Sequence, residues 1–246
     1  MTHLSVNLNK IALIRNSRIT DIPNLLQCAD RVLEAGAHGI TVHPRPDQRH
    51  IRVQDVFDLK EHIEVELNVE GNPFSTPTNS YPGFLALVRE VKPAQCTLVP
   101  DSNDQLTSDH GWNLKTQGHS LNKIIDDLKS WGIRVSLFMD SDSLDLPLAK
   151  QIGADRIEIY TGPYAQAFQT GHPEKELDAI KRTFERAHTL GLGLNAGHDL
   201  NLHNLPPLAR LPGLLEVSIG HALIVDALEQ GLTYTVRAYL QCLQAH

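Results

Sequence analysis

Cysteine is scarce, and what there is excludes two chemistries. Cys28, Cys96 and Cys242 are far apart, odd in number and never paired as Cys-x-x-Cys, which argues against a disulfide framework or a thiolate zinc site. No apolar run approaches the roughly 18 residues of a membrane span, and the N-terminus has no basic, apolar, small-residue leader. The expectation is a cytoplasmic protein with reduced thiols and no membrane partner. Positive charge is also short: 22 Lys and Arg face 29 Asp and Glu, a net charge of -7, so no broad basic face is available for nucleic acid. An anionic ligand has to be held by local groups. Catalytic signatures are missing too. There is no Gly-x-Gly-x-x-Gly after the first strand, no His-x-His on it and no His-Glu-x-x-His anywhere, so neither an open dinucleotide-binding sheet nor a metal site is indicated. The sixth strand has no lysine for a Schiff base, which leaves Lys10 as a minor candidate nucleophile.

What is present is one repeated pattern: a short β-branched run, a polar loop, an amphipathic segment, then a glycine-containing stop. That alternation predicts βαβ units and a parallel sheet. Strands are expected over residues 5–8, 39–42, 64–69, 95–99, 134–138, 156–159, 193–195 and 216–219. Helices are expected over residues 22–35, 53–62, 81–91, 121–130, 144–152, 174–190, 205–211 and 222–228, the last continuing over 233–244. Eight such units in 246 residues, 41% of them hydrophobic, favour an α/β chain forming one (β/α)₈ TIM barrel over residues 1–246. Two loops, residues 100–120 and 160–173, are longer than barrel joints require and read as binding loops or lids.

In such a barrel the active site is expected at the C-terminal ends of the strands. Polar residues collect there: Asn7 and Lys10 after the first strand, His43 and Arg45 after the second, Glu70 after the third, Glu158 in the sixth, Asn195, His198 and Asp199 at the seventh, Gly220 and His221 after the eighth. Burying such groups without partners costs several kcal/mol, so their recurrence at one end points to a site. Each keeps a second reading. Asn7 and Asn195 also suit capping of loop backbone, and Glu70 and Glu158 also suit pairing with arginines. Pro44 and Pro46 stiffen the segment around Arg45, giving a rigid basic loop suited to an anion. Gly197 and Gly220 stand where barrels often bind phosphate, and the helix start after Gly220 offers free N–H groups. His119, His172, His188 and His246 read as surface groups.

The residues resemble the pyridoxine 5′-phosphate synthase family along the whole chain. The likeness is carried by Val6-Asn-Leu-Asn-Lys-Ile-Ala-Leu-Ile-Arg-Asn-Ser-Arg18, Gly39-Ile-Thr-Val-His-Pro-Arg-Pro-Asp-Gln-Arg-His-Ile51, Leu67-Asn-Val-Glu70, Thr97-Leu-Val-Pro100, Ile157-Glu-Ile-Tyr-Thr-Gly162, Leu194-Asn-Ala-Gly-His198 and Ser218-Ile-Gly-His-Ala222. It implies a ring-closing condensation of two phosphorylated small molecules, 3-amino-2-oxopropyl phosphate and 1-deoxy-D-xylulose 5-phosphate, with no cofactor and no metal, in a homo-oligomer. The family's proton acceptors fall on His43 and Glu70, its proton donor on His198, and Glu158 becomes an electrostatic support. Contacts to the amino-ketone phosphate fall on Asn7, Arg18, Gly220 and His221. Those to the deoxyxylulose phosphate fall on Arg45, His50 and Thr107. The chain departs from the common pattern at Asn9-Lys10, where many members have Asp-His, and at Asp199, where many have glycine. Asp199 thus joins the substrate-binding set as an added negative charge that Lys10 can offset. The competing expectations are another sugar-phosphate lyase or aldolase on the same barrel, and a sugar-phosphate sensor without catalysis, which would not need His43, Glu70 and His198 together.

Overall fold

The computed structural model describes residues 1–244, so His246 lies outside the described residues. In chain order the first half contains β1 (His3–Asn7), α1 (Asn9–Asn16), α2 (Leu25–Glu34), β2 (Gly39–Val42), α3 (Val53–His62), β3 (Glu66–Gly71), α4 (Phe84–Val91) and β4 (Gln95–Leu98). The second contains α5 (Leu114–Ser130), β5 (Arg134–Asp140), α6 (Leu146–Gln151), β6 (Arg156–Tyr160), α7 (Gly162–Gln169), α8 (Glu174–Thr189), β7 (Gly193–Gly197), α9 (Leu205–Ala209), β8 (Leu214–Ile219), α10 (His221–Gln230) and α11 (Leu232–Gln244). The strands pair in sequence order, all parallel, and β8 returns to β1 to close the barrel. Among the described residues no helix is long and apolar enough to cross a membrane.

The period of two along each strand divides the molecule. Leu4 and Val6 of β1, Ile40 and Val42 of β2, and Leu67 and Val69 of β3 are buried in the hydrophobic core beneath the helices. The alternate positions turn inward and are mostly polar. The Ser5 and Thr41 hydroxyls lie 2.6 Å apart, and the Thr97 hydroxyl lies 3.2 Å from Asn68 Oδ1 and 3.3 Å from Glu158 Oε2, reaching from β4 to β6. Nearer the amino end, Asn195 accepts from Arg156 and donates to Glu216, inside the barrel and away from the loops it might have capped.

The eight strands fall where the β-branched runs placed them, but three helical segments differ from expectation. The segment Asn9–Asn16, read as a polar loop, is α1, with Ile11, Ala12 and Arg15 buried. Within residues 160–173, α7 fills most of the expected loop; Pro163 in its first turn is a helix-start signal, because proline there loses no needed hydrogen bond. α5 begins at Leu114 rather than at residue 121, capped by Asn113, whose side chain accepts from the Thr116 N–H. The loop after β4 is therefore shorter than residues 100–120.

Arg15 ties this scaffold to the loop after β2. Its guanidinium meets both Asp55 carboxylate oxygens at 2.6 and 2.8 Å and the His50 carbonyl at 3.2 Å. Asp55 also accepts the Arg52 N–H at 2.7 Å, and Asn16 donates to the His50 carbonyl at 2.7 Å. One buried ion pair thus connects α1, the start of α3 and residues 48–50. Asp55→Ala strands the Arg15 charge and is expected to cost about 3–5 kcal/mol in denaturant unfolding, most of it recovered by the double variant Arg15→Met/Asp55→Leu.

Candidate active site

The carboxyl ends of the strands surround a cavity of about 340 Å³. It is lined by His43, Glu70, Glu158 and His198, by Asn7, Arg45, His50 and Thr107, and by Asp199, Gly220 and His221. Arg18 is the exception. It sits exposed just after α1, outside the cavity lining, while the buried arginine of that segment is Arg15. Lys10, Asn9 and Arg49 line the cavity as well. The histidines set aside as surface groups, His119, His172 and His188, are exposed.

Local backbone contacts explain how the mouth is assembled. Asn7 Oδ1 accepts the Asn9 N–H at 3.0 Å, and Asn9 Oδ1 accepts the His43 N–H at 2.9 Å, so the end of β1 holds the end of β2. An asparagine performs this task as well as an aspartate would, because it needs only a carbonyl acceptor. The two glycines read as phosphate-loop residues have a steric task. A Cβ at Gly197 would lie 2.3 Å from Glu158 Oε1, and one at Gly220 would lie 3.0 Å from the Asn7 Cβ. Each makes room for a polar side chain of the site.

Burial governs the protonation states. His43 is pushed well below the ordinary histidine range by burial first and then by Arg45 and its neighbouring histidines. Glu70 is pushed well above the carboxylate range by burial, with Glu158 and Asp101 adding repulsion. His43 Nδ1 and Glu70 Oε2 are 3.7 Å apart, and these opposite shifts disfavour an ion pair between them. Burial, with Glu216 beyond it, raises Glu158 to about 8. His50 is lowered to about 3 by burial and by Arg45 and Arg49. Its Nδ1 accepts the Ile51 N–H at 2.9 Å, which leaves the ring hydrogen on Nε2. His198 is lowered by burial, and Asp199 opposes that shift.

Positive charge comes from Lys10, Arg45 and Arg49. Arg45 Nη2 meets Asp101 Oδ2 at 2.5 Å, and the Ser108 hydroxyl donates to the same oxygen at 2.7 Å. Arg49 donates to the carbonyls of Asn103 and Gln105, both at 3.0 Å, fastening the loop after β4 to the loop after β2. Sequence reasoning passed over Asp101 and Arg49 as site residues. Asp101 was nonetheless findable, since it follows Thr97-Leu-Val-Pro100 at a strand's carboxyl end. Among the described residues no group of three His, Cys, Asp or Glu side chains is placed to hold a metal ion.

Comparison with known proteins gives a consistent result. The family model of the pyridoxal phosphate biosynthesis protein PdxJ matches residues 4–245. The chain is 54% identical over 243 residues to the pyridoxine 5′-phosphate synthase of Xanthomonas campestris pv. campestris (strain B100), covering 97% of this chain and 95% of that one. It is 51% identical over 248 residues to the protein of the same name from Xylella fastidiosa (strain 9a5c), covering 99% and 95%. A solved 4-hydroxy-2-oxoglutarate aldolase/2-deydro-3-deoxyphosphogluconate aldolase from TTHB1 superposes with a TM-score of 0.62 at 16% identity, covering 98% of this chain and 93% of the other, a likeness of fold alone.

The Glu158 carboxyl yields a stability test. An acid that keeps its proton to about 8 in the folded state, against about 4.5 when free, stabilises the fold fully below about pH 4.5 and loses that contribution as pH rises through 8. Glu158→Gln carries no such proton. Its melting temperature is expected to fall less than that of the parent between about pH 5 and pH 9, at roughly 2–4 °C per kcal/mol for a domain of this size.

Proposed function

The chain belongs to the family of the pyridoxal phosphate biosynthesis protein PdxJ, and from that premise we propose that the cavity at the barrel mouth carries out the pyridoxine 5′-phosphate synthase reaction with His43, Glu70 and His198 moving the protons. The substrates are 3-amino-2-oxopropyl phosphate and 1-deoxy-D-xylulose 5-phosphate; the products are pyridoxine 5′-phosphate, phosphate and water. The observation that carries this reading is the convergence of those three groups and the phosphate-binding candidates on one cavity.

The chemistry asks for an imine, loss of water and phosphate, and removal of a carbon-bound proton before the ring closes. A neutral, buried His43 is a competent base near neutral pH. Glu70 beside it, whose proton affinity burial raises, acts as the second proton acceptor. His198 acts as the donor, and Asp199 supports its imidazolium; the added negative charge at this position thereby serves the acid rather than opposing a phosphate. Glu158 answers charge developing deeper in the mouth. Asn7, Gly220 and His221 receive the amino-ketone phosphate, and Arg45, His50 and Thr107 receive the deoxyxylulose phosphate. The Nε2 hydrogen of His50 is a neutral donor suited to a phosphate oxygen.

We also place the enzyme in the cytoplasm as a homo-oligomer. Leu13, Ile14, Ile19 and Ile22 are exposed in the single chain, apolar surface that a further copy would cover. Arg18 lies in that same stretch, and its part in binding the amino-ketone phosphate stays within the proposal.

Incubation with both substrates is expected to release inorganic phosphate and pyridoxine 5′-phosphate together; the appearance of neither would overturn the assignment. His43→Asn is expected to lower kcat by about 10²–10⁴, read by phosphate release. The loop after β4 carries Thr107 and is fastened chiefly by Arg49 and by the Arg45–Asp101 pair. Hydrogen exchange across residues 101–113 is expected to slow when deoxyxylulose phosphate binds, because a ligand touching Thr107 favours the ordered loop. Unchanged exchange would remove the lid role.

A further inference from the structure

The turn that presents His198 is held in an unfavourable backbone conformation. His198 has φ +83° and Asp199 φ +55°, two successive non-glycine residues in the left-handed region. Such a turn persists only when its surroundings over-determine it. The groups that do so are buried and come from both sides of the turn in the chain, Thr161 before α7 and Asn204 before α9. Thr161 occupies the N-cap of α7, where a threonine side chain normally accepts a hydrogen bond from its own helix, yet its hydroxyl makes no such cap. It points across to β7, 2.7 Å from the Gly197 carbonyl and 2.5 Å from the His198 carbonyl, while the Thr161 N–H donates to the Gly197 carbonyl at 3.0 Å. From the other side Asn204 Nδ2 donates to the Asp199 carbonyl at 3.0 Å. Asn204 is itself fixed by the Tyr164 hydroxyl, which donates to its carbonyl at 2.7 Å, and by the Asn201 N–H, which donates to its Oδ1 at 2.8 Å. All three carbonyls of the turn are therefore engaged by residues that do not line the cavity: Gly197 and His198 share the one hydroxyl hydrogen of Thr161, whose N–H also serves Gly197, and Asn204 holds Asp199.

We propose that Thr161 and Asn204 are positioning residues, a hydrogen-bonded brace that holds the His198–Asp199 turn in its left-handed conformation and so aims the His198 imidazole into the cavity, against the rings of Phe138 and Tyr160. The ring centroids of Phe138 and Tyr160 lie 5.7 and 5.5 Å from that of His198 and set its tilt only if the backbone delivers it there. A side chain reaching one of these carbonyls is a common loop device. Two side chains from opposite directions, one of them forgoing its own helix cap, make a fixture. The proposal rests on His198 acting as the proton donor.

Thr161→Val keeps the shape of the side chain and removes the hydroxyl. It is expected to lower kcat by about 10–100-fold with KM within about twofold, to shift the acidic limb of the kcat profile and to move the His198 ring resonance in an NMR titration. Thr161→Ser restores all three. Because glycine takes positive φ freely, the Thr161→Val loss is expected to shrink at least about threefold in an Asp199→Gly background, a coupling that a general packing defect does not produce. Should Thr161→Val fail to fold, Asn204→Asp replaces the Nδ2 donor with a like-shaped acceptor and is expected to give the same changes. An unshifted His198 titration with unchanged kcat, in whichever variant folds, overturns the brace. A shifted titration with unchanged kcat also overturns the proposal, there by removing His198 as proton donor while the brace stands.

Discussion

Most inward-facing strand positions of this barrel carry polar groups that need partners, because the aliphatic half of each strand is committed to the helices. That division follows from the period of two, and its consequence is a polar interior in which hydrogen bonds cross between strands. Thr97 stands between Asn68 and Glu158, and Glu216 meets Gln95, Asn195 and Arg156. In such surroundings an unpaired polar group is costly, so the network tolerates few arrangements. The candidate site is the end of this same interior. Glu158 belongs to both, touching Thr97 below and facing the cavity above. Its raised proton affinity is a property of the barrel's inside as much as of the site.

The loops at the mouth inherit rigidity from contacts outside the cavity. Arg15 and Asn16 clamp residues 48–50 from α1, Asn9 clamps the His43 backbone, and Arg49 carries the restraint onward to the loop after β4. A chain of fastenings thus runs from one helix through two loops to Thr107. Precise placement of reacting groups depends on such fastening, since a misplacement of about 1 Å can cost on the order of 10² in rate.

The fold was largely legible because alternation and glycine stops are local signals. Eight strands and most helices fell where those signals placed them. The failures were local as well. In α1, Lys10 and the flanking asparagines hid a spacing of Ile11, Ala12 and Arg15 that suits a helix face. In α5, Gly118 broke a pattern whose buried members are Leu114, Gly118, Leu121, Ile124, Ile125 and Leu128. At the site, His43, Glu70, Glu158 and His198 were legible because their positions in or at the ends of strands point them inward. Arg49 and Arg18 depend on loop conformation, which no periodicity encodes. Gly197 and Gly220 have a further task that the sequence does not show: only the packing reveals that Glu158 and Asn7 occupy the space a side chain would fill.

The resting electrostatics bear on how such a site serves two phosphorylated substrates. His43 and His50 are neutral because burial and Arg45 disfavour a further positive charge, and Arg45 itself is held by Asp101. On the proposed assignment of Arg45 to a substrate phosphate, the arriving negative charge offsets the effect of Arg45 on the histidines, so their proton affinity rises. The same arrival competes with Asp101 for the guanidinium, and Asp101 is anchored to Ser108 in the loop that carries Thr107. Substrate charge therefore acts on two things together, the protonation of the buried imidazoles and the contacts that order the loop. On the proposed function, the imidazoles that are neutral in the empty site take up protons as phosphate binds, and the energy for that change comes from phosphate binding rather than from the chemical step.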